Sequence, residues 1–294
     1  MKIGYVCTNY DNSAFTRAAV ASLLASDRSD DIRIAVVDNR SSAGDVAALL
    51  ELKADYPEIE LVLSDENVGY FRGLNLGIDR LRGRDPELDH VVVGNNDLVF
   101  PPDFVQRVER RSDIFSKWAV IAPDLLCSDG QHQNPHVLHP ITRVRRLVWD
   151  LYYRWYPLAY VIKRAAELSR RLTARRETLP GHTLHQTAGP IIMGLGACYI
   201  LGPLFFRHFD RLFAPTFLMN EEFFLTEQLK TIGQMIYYEP TILIHHHGKA
   251  TTDKVPSRRL WGMARDSHRM CKRLISMSSS ERSAVVMRST RAAT

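Results

Sequence analysis

Short apolar strands alternate with amphipathic helices through the first hundred residues, and this alternation limits the fold more than any other feature. Apolar runs at 2–7, 32–37, 59–63 and 90–94 read as strands. Between them, apolar residues at helical spacing predict helices over about 13–26, 43–55 and 69–82. Such alternation specifies a parallel α/β sheet with helices on its faces. In sheets of that kind ligands bind beyond the carboxyl ends of the strands. The polar residues fall at those ends: Thr8-Asn9, Asp38-Asn39, Asn67 and Asn95-Asn96-Asp97.

Asp97 is the most pointed of these. It closes the run Val91-Val92-Val93-Gly94-Asn95-Asn96-Asp97, and a carboxylate at a buried strand end is costly unless its charge is compensated. Its candidate companions are Asp38, Glu221-Glu222 and His245-His246-His247. A plainer role, capping the helix after Pro101-Pro102, stays open. Neither a Gly-x-x-x-x-Gly-Lys-Ser/Thr loop nor a Gly-x-Gly-x-x-Gly turn follows the first strand, which demotes P-loop hydrolysis and dinucleotide redox chemistry. A sheet of this type that binds a nucleotide without those loops can hold the diphosphate through a divalent metal.

Charge is distributed unevenly. The net +5 combines −8 over residues 1–136 with +13 over 137–294. From Arg143 to Arg176 there are ten Lys/Arg and two acids, interleaved with Trp149, Tyr152, Tyr153, Trp155, Tyr156 and Tyr160. Apolar residues there recur at helical spacing, and Pro157 interrupts them. Such a helix suits an anionic bilayer surface, or packs its stripe on the core; RNA binding lacks any accompanying module. The uncharged run 188–206 carries two prolines and four glycines, which predicts strand–turn–strand rather than a membrane helix. Four scattered cysteines and a strand directly after Met1-Lys2 point to a cytoplasmic protein without a leader. A basic helix is expected at about 256–275, with a frayed tail after Met277.

Several segments together resemble family 2 glycosyltransferases over roughly residues 1–252. They are Val36-Val37-Asp38-Asn39-Arg40-Ser41-Ser42, Glu66-Asn67-Val68-Gly69-Tyr70-Phe71-Arg72-Gly73-Leu74-Asn75, Val93-Gly94-Asn95-Asn96-Asp97, Gly196-Ala197-Cys198-Tyr199-Ile200, Phe217-Leu218-Met219-Asn220-Glu221-Glu222 and Tyr238-Glu239-Pro240-Thr241-Ile242-Leu243-Ile244-His245-His246. The nearest branch is rhamnosyltransferase-like, building bacterial surface polysaccharide. The resemblance implies a GT-A-like, Rossmann-like, mostly parallel central sheet flanked by helices. The basic helical insertion would span 141–178, between a nucleotide-binding half (1–136) and an acceptor-side half (187–252). A C-terminal piece follows at 253–294. It also implies a nucleotide-diphosphate sugar donor, inversion at the anomeric carbon and a glycan or lipid-linked glycan acceptor. No nucleic acid partner is expected, and a peripheral contact with an anionic membrane through 141–176 is a candidate.

Roles carried over by the resemblance place Asp38 at the nucleobase, with Thr8, Asn9, Tyr10 and Asn39 in the same pocket. Asn67, Gly69 and Asn75 match the loop and helix start around nucleotide and sugar, and Arg72 is a candidate phosphate contact. Asn95-Asn96-Asp97 matches the Asp-x-Asp element, with Asp97 and His246 in the metal places. Glu222 stands where the family has its catalytic aspartate, with Glu221 before it. Two departures stand out: Asn95 carries no charge, and Glu-Glu replaces Glu-Asp, leaving the base open between Glu221 and Glu222. Burial among Phe217, Leu218, Phe223 and Phe224 should raise the pKa of Glu222. A histidine ligand tilts the metal from Mg2+ towards Mn2+. The competing readings are a sugar-phosphate nucleotidyltransferase, or a glycan- or anionic-lipid-binding protein that lost the chemistry.

Overall fold

The computed structural model describes residues 1–138, 142–173, 184–248 and 258–291. The chain begins as the alternation predicts, with β1 (Ile3–Asn9), α1 (Ser13–Leu24), β2 (Ile32–Asp38), α2 (Ala43–Asp55), β3 (Glu60–Leu63), α3 (Tyr70–Arg84) and β4 (Val91–Asn95). All pairings among these four strands are parallel. Successive side chains enter different layers. Val6, Ala35, Val91 and Val93 meet Phe71, Leu74 and Ile78 of α3. Tyr5, Cys7, Ile34 and Val36 meet Ala19, Val20 and Leu23 of α1, and Leu49 and Leu52 of α2. Because both faces are covered, the strands read as continuous apolar runs. Each large apolar side chain buried this way contributes about 1.5–3 kcal/mol.

The rest of the chain extends that sheet. Strand β5 (Leu98–Val99) is followed by α4 (Phe104–Arg110), α5 (Ser112–Phe115) and β6 (Val120–Cys127). The basic segment forms α6 (Arg143–Tyr152) and α7 (Tyr156–Thr173), broken where Pro157 predicts. Thr142 caps α6 by accepting from the Arg145 amide. Val144, Leu147 and Trp155 are 72%, 61% and 65% exposed, so the apolar stripe of these helices is not packed on the core. Residue 141 and residues 174–178 of the expected insertion lie outside the described residues, as does the expected boundary at 252/253.

The 188–206 run becomes β7 (Gly189–Ile191), β8 (Cys198–Leu201) and α8 (Pro203–His208). Among the described residues no helix is long and apolar enough to cross a membrane. After α9 (Glu221–Lys230) comes β9 (Ile236–His246), and the sheet order is β3-β2-β1-β4-β8-β6-β9-β5, with β7 beside β9. Strand β8 runs antiparallel to both β4 and β6, so the sheet is mixed in this half. The β6–β9 register jumps from Pro123↔Glu239 to Asp124↔Leu243. Beyond that irregularity β9 pairs with β5 and sets His246 opposite Leu98.

Two helices close the chain, α10 (Arg258–Ser276) and α11 (Ser279–Thr290). The second corrects the expectation of a frayed tail after Met277. Ser278 and Glu281 form a capping box at its start, and Val286 packs with Phe213, Phe224, Cys271 and Leu274. At its end the Thr290 carbonyl accepts from the amides of Asp210 and Arg211. Composition suggested fraying because Ser, Arg and Ala give no strong apolar period; a local cap and a few buried contacts suffice instead.

Candidate active site

The parallel ladders bring three strand ends together, with Asn9 opposite Asp38 and Thr8 opposite Asn95. Behind them lies a buried polar network. The Asn9 amide nitrogen donates to Asp38 Oδ1, Ser41 Oγ and Asp45 Oδ2, while its oxygen accepts from Thr16 and Asn96. Asn96 also donates to Asn12 Oδ1 at 2.7 Å. Asp38 accepts further from the Ser41 hydroxyl and amide and is 1% exposed. Asn9, Asp38 and Asn96 are therefore committed to holding the turns that follow the strands. Asp38, the expected nucleobase contact, is among them.

The neighbouring Asn39 lines an open cleft instead. A cleft of about 350 Å³ is lined by Thr8, Tyr10, Asn39, Asn67, Gly69 and Tyr70 from the first half. Phe217 and Leu218, with Arg259, Leu260 and Met263 of α10, form the facing wall. Asn39 donates to the Gly69 carbonyl, and its own buried Oδ1 has no donor. Asn67 accepts from the Gly69 amide. Gly69 has φ +89, and a Cβ there would lie 2.0 Å from the Phe217 carbonyl oxygen, so only glycine permits this approach. Arg72 and Asn75 stand apart. They line a different cleft with Asp79 and Arg211; Arg72 donates to Ala214 O, and both amide atoms of Asn75 are taken by the Leu212 backbone. Arg72 and Asn75, expected at the donor, thus lie on the face of α3 turned towards the 211–215 segment.

Asp97 and His246 meet as the resemblance implies. Both are nearly buried, at 8% and 5% exposure. His246 Nδ1 lies 2.6 Å from Gln133 Oε1, which fixes the proton on that nitrogen and leaves Nε2 facing Asp97 Oδ1 at 3.1 Å and accepting a long bond from Asn95 Nδ2 at 3.4 Å. The contact with Asp97 is off the line of a hydrogen bond, and Oδ1 accepts none. Two ligand atoms bound at right angles to one cation at about 2.1 Å lie about 3.0 Å apart. The orphaned oxygen and the lone pair opposite it therefore fit a divalent metal. Among the described residues no third His, Cys, Asp or Glu joins them, as suits a metal whose remaining ligands are phosphates and water.

The glutamate pair opens α9. Met219 and Asn220 before it both have positive φ, +79 and +61, a strained turn for non-glycine residues. Ser267 of α10 buttresses it, donating to Met219 O and accepting from Asn220 Nδ2. Glu222 Oε1 accepts from the Gly196 amide at 3.0 Å, and the Gly196 carbonyl accepts from the Tyr70 hydroxyl at 2.9 Å. Glu221 accepts from the Met219 amide. The raised carboxyl is Glu221, pushed up to about 7 by burial and then by the charge of Glu222. Burial first, then the charges of Cys198, Glu221, Glu222 and Asp97, keep the Tyr70 hydroxyl well above the phenol range. The turn at 196–197 thus links Glu222 at the start of α9 to the end of β4, where the Asn95 amide donates to the Ala197 carbonyl. Gln133 and Ser267 escaped sequence reasoning, since each contacts residues distant in the chain and carries no local motif; Tyr70 lies within the 66–75 segment but was given no role there.

Comparison with known proteins bears on the family and the fold. The sequence matches the description Glycosyl transferase family 2 over residues 6–157, more than half of the chain. No curated protein is similar enough in sequence to count as a relative. Among solved structures, residues 1–349 of TarS from S. aureus superpose with a TM-score of 0.53 at 10% identity, covering 98% of this chain and 69% of that one. The mannosyltransferase PcManGT from Pyrobaculum calidifontis, in complex with GDP-Man and Mn2+, gives 0.53 at 12% identity, covering 98% and 68%. GalNAc-T7 with UDP, GalNAc and Mn2+ gives 0.53 at 10%, covering 84% and 44%. At these identities the likeness is one of fold.

Proposed function

We propose, from the premise that this chain belongs to glycosyl transferase family 2, that it is an inverting, metal-dependent transferase. It moves a hexose or deoxyhexose, such as rhamnose, from a nucleotide-diphosphate donor to a glycan or lipid-linked glycan. Bacterial surface polysaccharide is the expected product. The observation that carries this reading is that the 196–197 turn joins the two acidic places: the Gly196 amide donates to Glu222, and the Asn95 amide, two residues before the Asp97 that pairs with His246, donates to the Ala197 carbonyl.

Tyr10, 53% exposed at the cleft, offers a face for a nucleobase, and the unpaired Asn39 oxygen offers it an acceptor. Arg259 supplies a cation to the same wall. Asp97 and His246 would hold a Mn2+ or Mg2+, which when bound neutralises the departing diphosphate. Glu222 takes the proton of the acceptor hydroxyl. The acceptor oxygen then bonds to the anomeric carbon as the bond from that carbon to the diphosphate oxygen breaks, releasing the nucleoside diphosphate. Glu221, less readily ionised, keeps a second negative charge from crowding Glu222.

A panel of nucleotide sugars, each with and without Mn2+, tests the reading by thermal stabilisation. A donor at about 100 times its dissociation constant should add about 2.7 kcal/mol. E222Q should keep that stabilisation and lose roughly 10²–10⁴-fold in turnover. Full turnover in E222Q, or no donor stabilising the wild type, contradicts the proposal. The exposed apolar stripe of α6 and α7, set among Arg145, Arg146, Arg154 and Lys163, supports a peripheral contact with anionic lipid.

A further inference from the structure

Beyond the strand-end cleft, a separate cavity of about 560 Å³ lies between α6, the start of α9 and α10, with Glu222 in its wall. This volume is in the range of small-molecule sites. Trp149, Met193, Phe223 and Ile275 make it largely apolar. Its charged groups are unevenly matched. Asp150 accepts from both His268 and Lys272, tying α6 to α10 and satisfying that lysine. Arg145 and Arg146 have no acidic partner among the described residues, and the Arg145 guanidinium sits 5.2 Å over the Trp149 ring. Both stand in the first turn of α6, where the helix dipole disfavours cations.

We infer that this cavity takes the acceptor, and that the acceptor is a phosphate-bearing amphiphile. Its phosphate lies against Arg145 and Arg146, and its apolar aglycone covers Trp149, Phe223 and Ile275. The assignment rests on Glu222 being the base of the proposed transferase, since that is what puts the acceptor hydroxyl at this end. An apolar wall with two uncompensated guanidiniums selects such a compound over a neutral glycan by two independent terms: burial of its hydrocarbon and pairing of its phosphate. Arg145 and Arg146 are then specificity-determining residues.

Titration calorimetry on the full chain tests this with three probes: decyl phosphate, decyl glucoside and inorganic phosphate. Decyl phosphate should bind at least about tenfold tighter than either of the others. R145A/R146A should weaken it about tenfold or more, with R145Q and R146Q each giving a smaller loss. L147S, on the outer face of α6 and away from the cavity, should change it less than about threefold and separates cavity binding from adsorption. Circular dichroism melting of each variant checks folding; both arginines are exposed. Equal binding of decyl glucoside or of inorganic phosphate, unchanged affinity in R145A/R146A, a loss in L147S as large as in the double variant, or no binding by the wild type overturns the inference. Nucleotide-sugar stabilisation of the same samples reports separately on the transferase reading.

Discussion

Asp38 and Asn39 are adjacent in sequence, and only their partners separate their roles. The sequence marks both as polar groups at a strand end. Asp38 is then absorbed by Asn9 and Ser41, and Asn39 is left lining the cleft. Glu221 and Glu222 differ in the same way. Both are legible as carboxylates opening a helix; Glu222 accepts from the Gly196 amide, while Glu221 accepts from the Met219 amide and burial raises its carboxyl from an ordinary 4.5 to about 7. Between those values the folded protein binds more protons than the unfolded chain, so stability falls as pH rises through this window. E221Q removes the cost of that ionisation. We expect it to stabilise the protein at pH 8 by up to about 3 kcal/mol, and to change little at pH 5. Urea melts at the two pH values check this, and an equal gain at both contradicts it.

At the scale of elements, the site depends on where segments touch. The Gly69 turn can meet the 217–218 segment only because nothing projects from its Cα. G69A forces an alanine into a left-handed conformation and against the Phe217 carbonyl. We expect a loss of more than about 1 kcal/mol together with weaker donor binding, read by urea melts and by nucleotide-sugar titration. The same mutation leaving donor affinity intact would show that this contact does not shape the cleft. Helix α11 depends on its first turn. S278A breaks the capping box and should cost about 1 kcal/mol, seen as a lower melting temperature. Faster amide exchange should appear over 279–290, where little change would mean that packing of Val286 alone holds the helix. The strand–helix alternation was readable because period and length are local properties. This helix was missed because its stability comes from a cap and from Phe213 and Phe224, far away in the chain.

For the whole molecule, acidic and basic halves meet around one sheet, and the basic half leaves an apolar stripe in solvent on α6 and α7. Flotation with vesicles containing anionic phosphatidylglycerol should recover the protein. Neutral phosphatidylcholine vesicles should not, and added salt should release it, because the attraction is screened within about 8–10 Å. Absence of binding to either vesicle removes the membrane contact from the proposal. The sequence by itself determined the parallel α/β core, the strand-end position of the polar residues and the candidate pairing of Asp97 with His246, since periodicity and residue chemistry act over short stretches. Only the tertiary structure decided that β9 swings past the β6 irregularity to bring His246 to Asp97, that Arg72 and Asn75 face away from the cleft, and that α6 and α10 enclose a cavity at Glu222. Each of these joins residues up to about 150 positions apart, and no local pattern encodes a contact whose partners are chosen by how the elements pack.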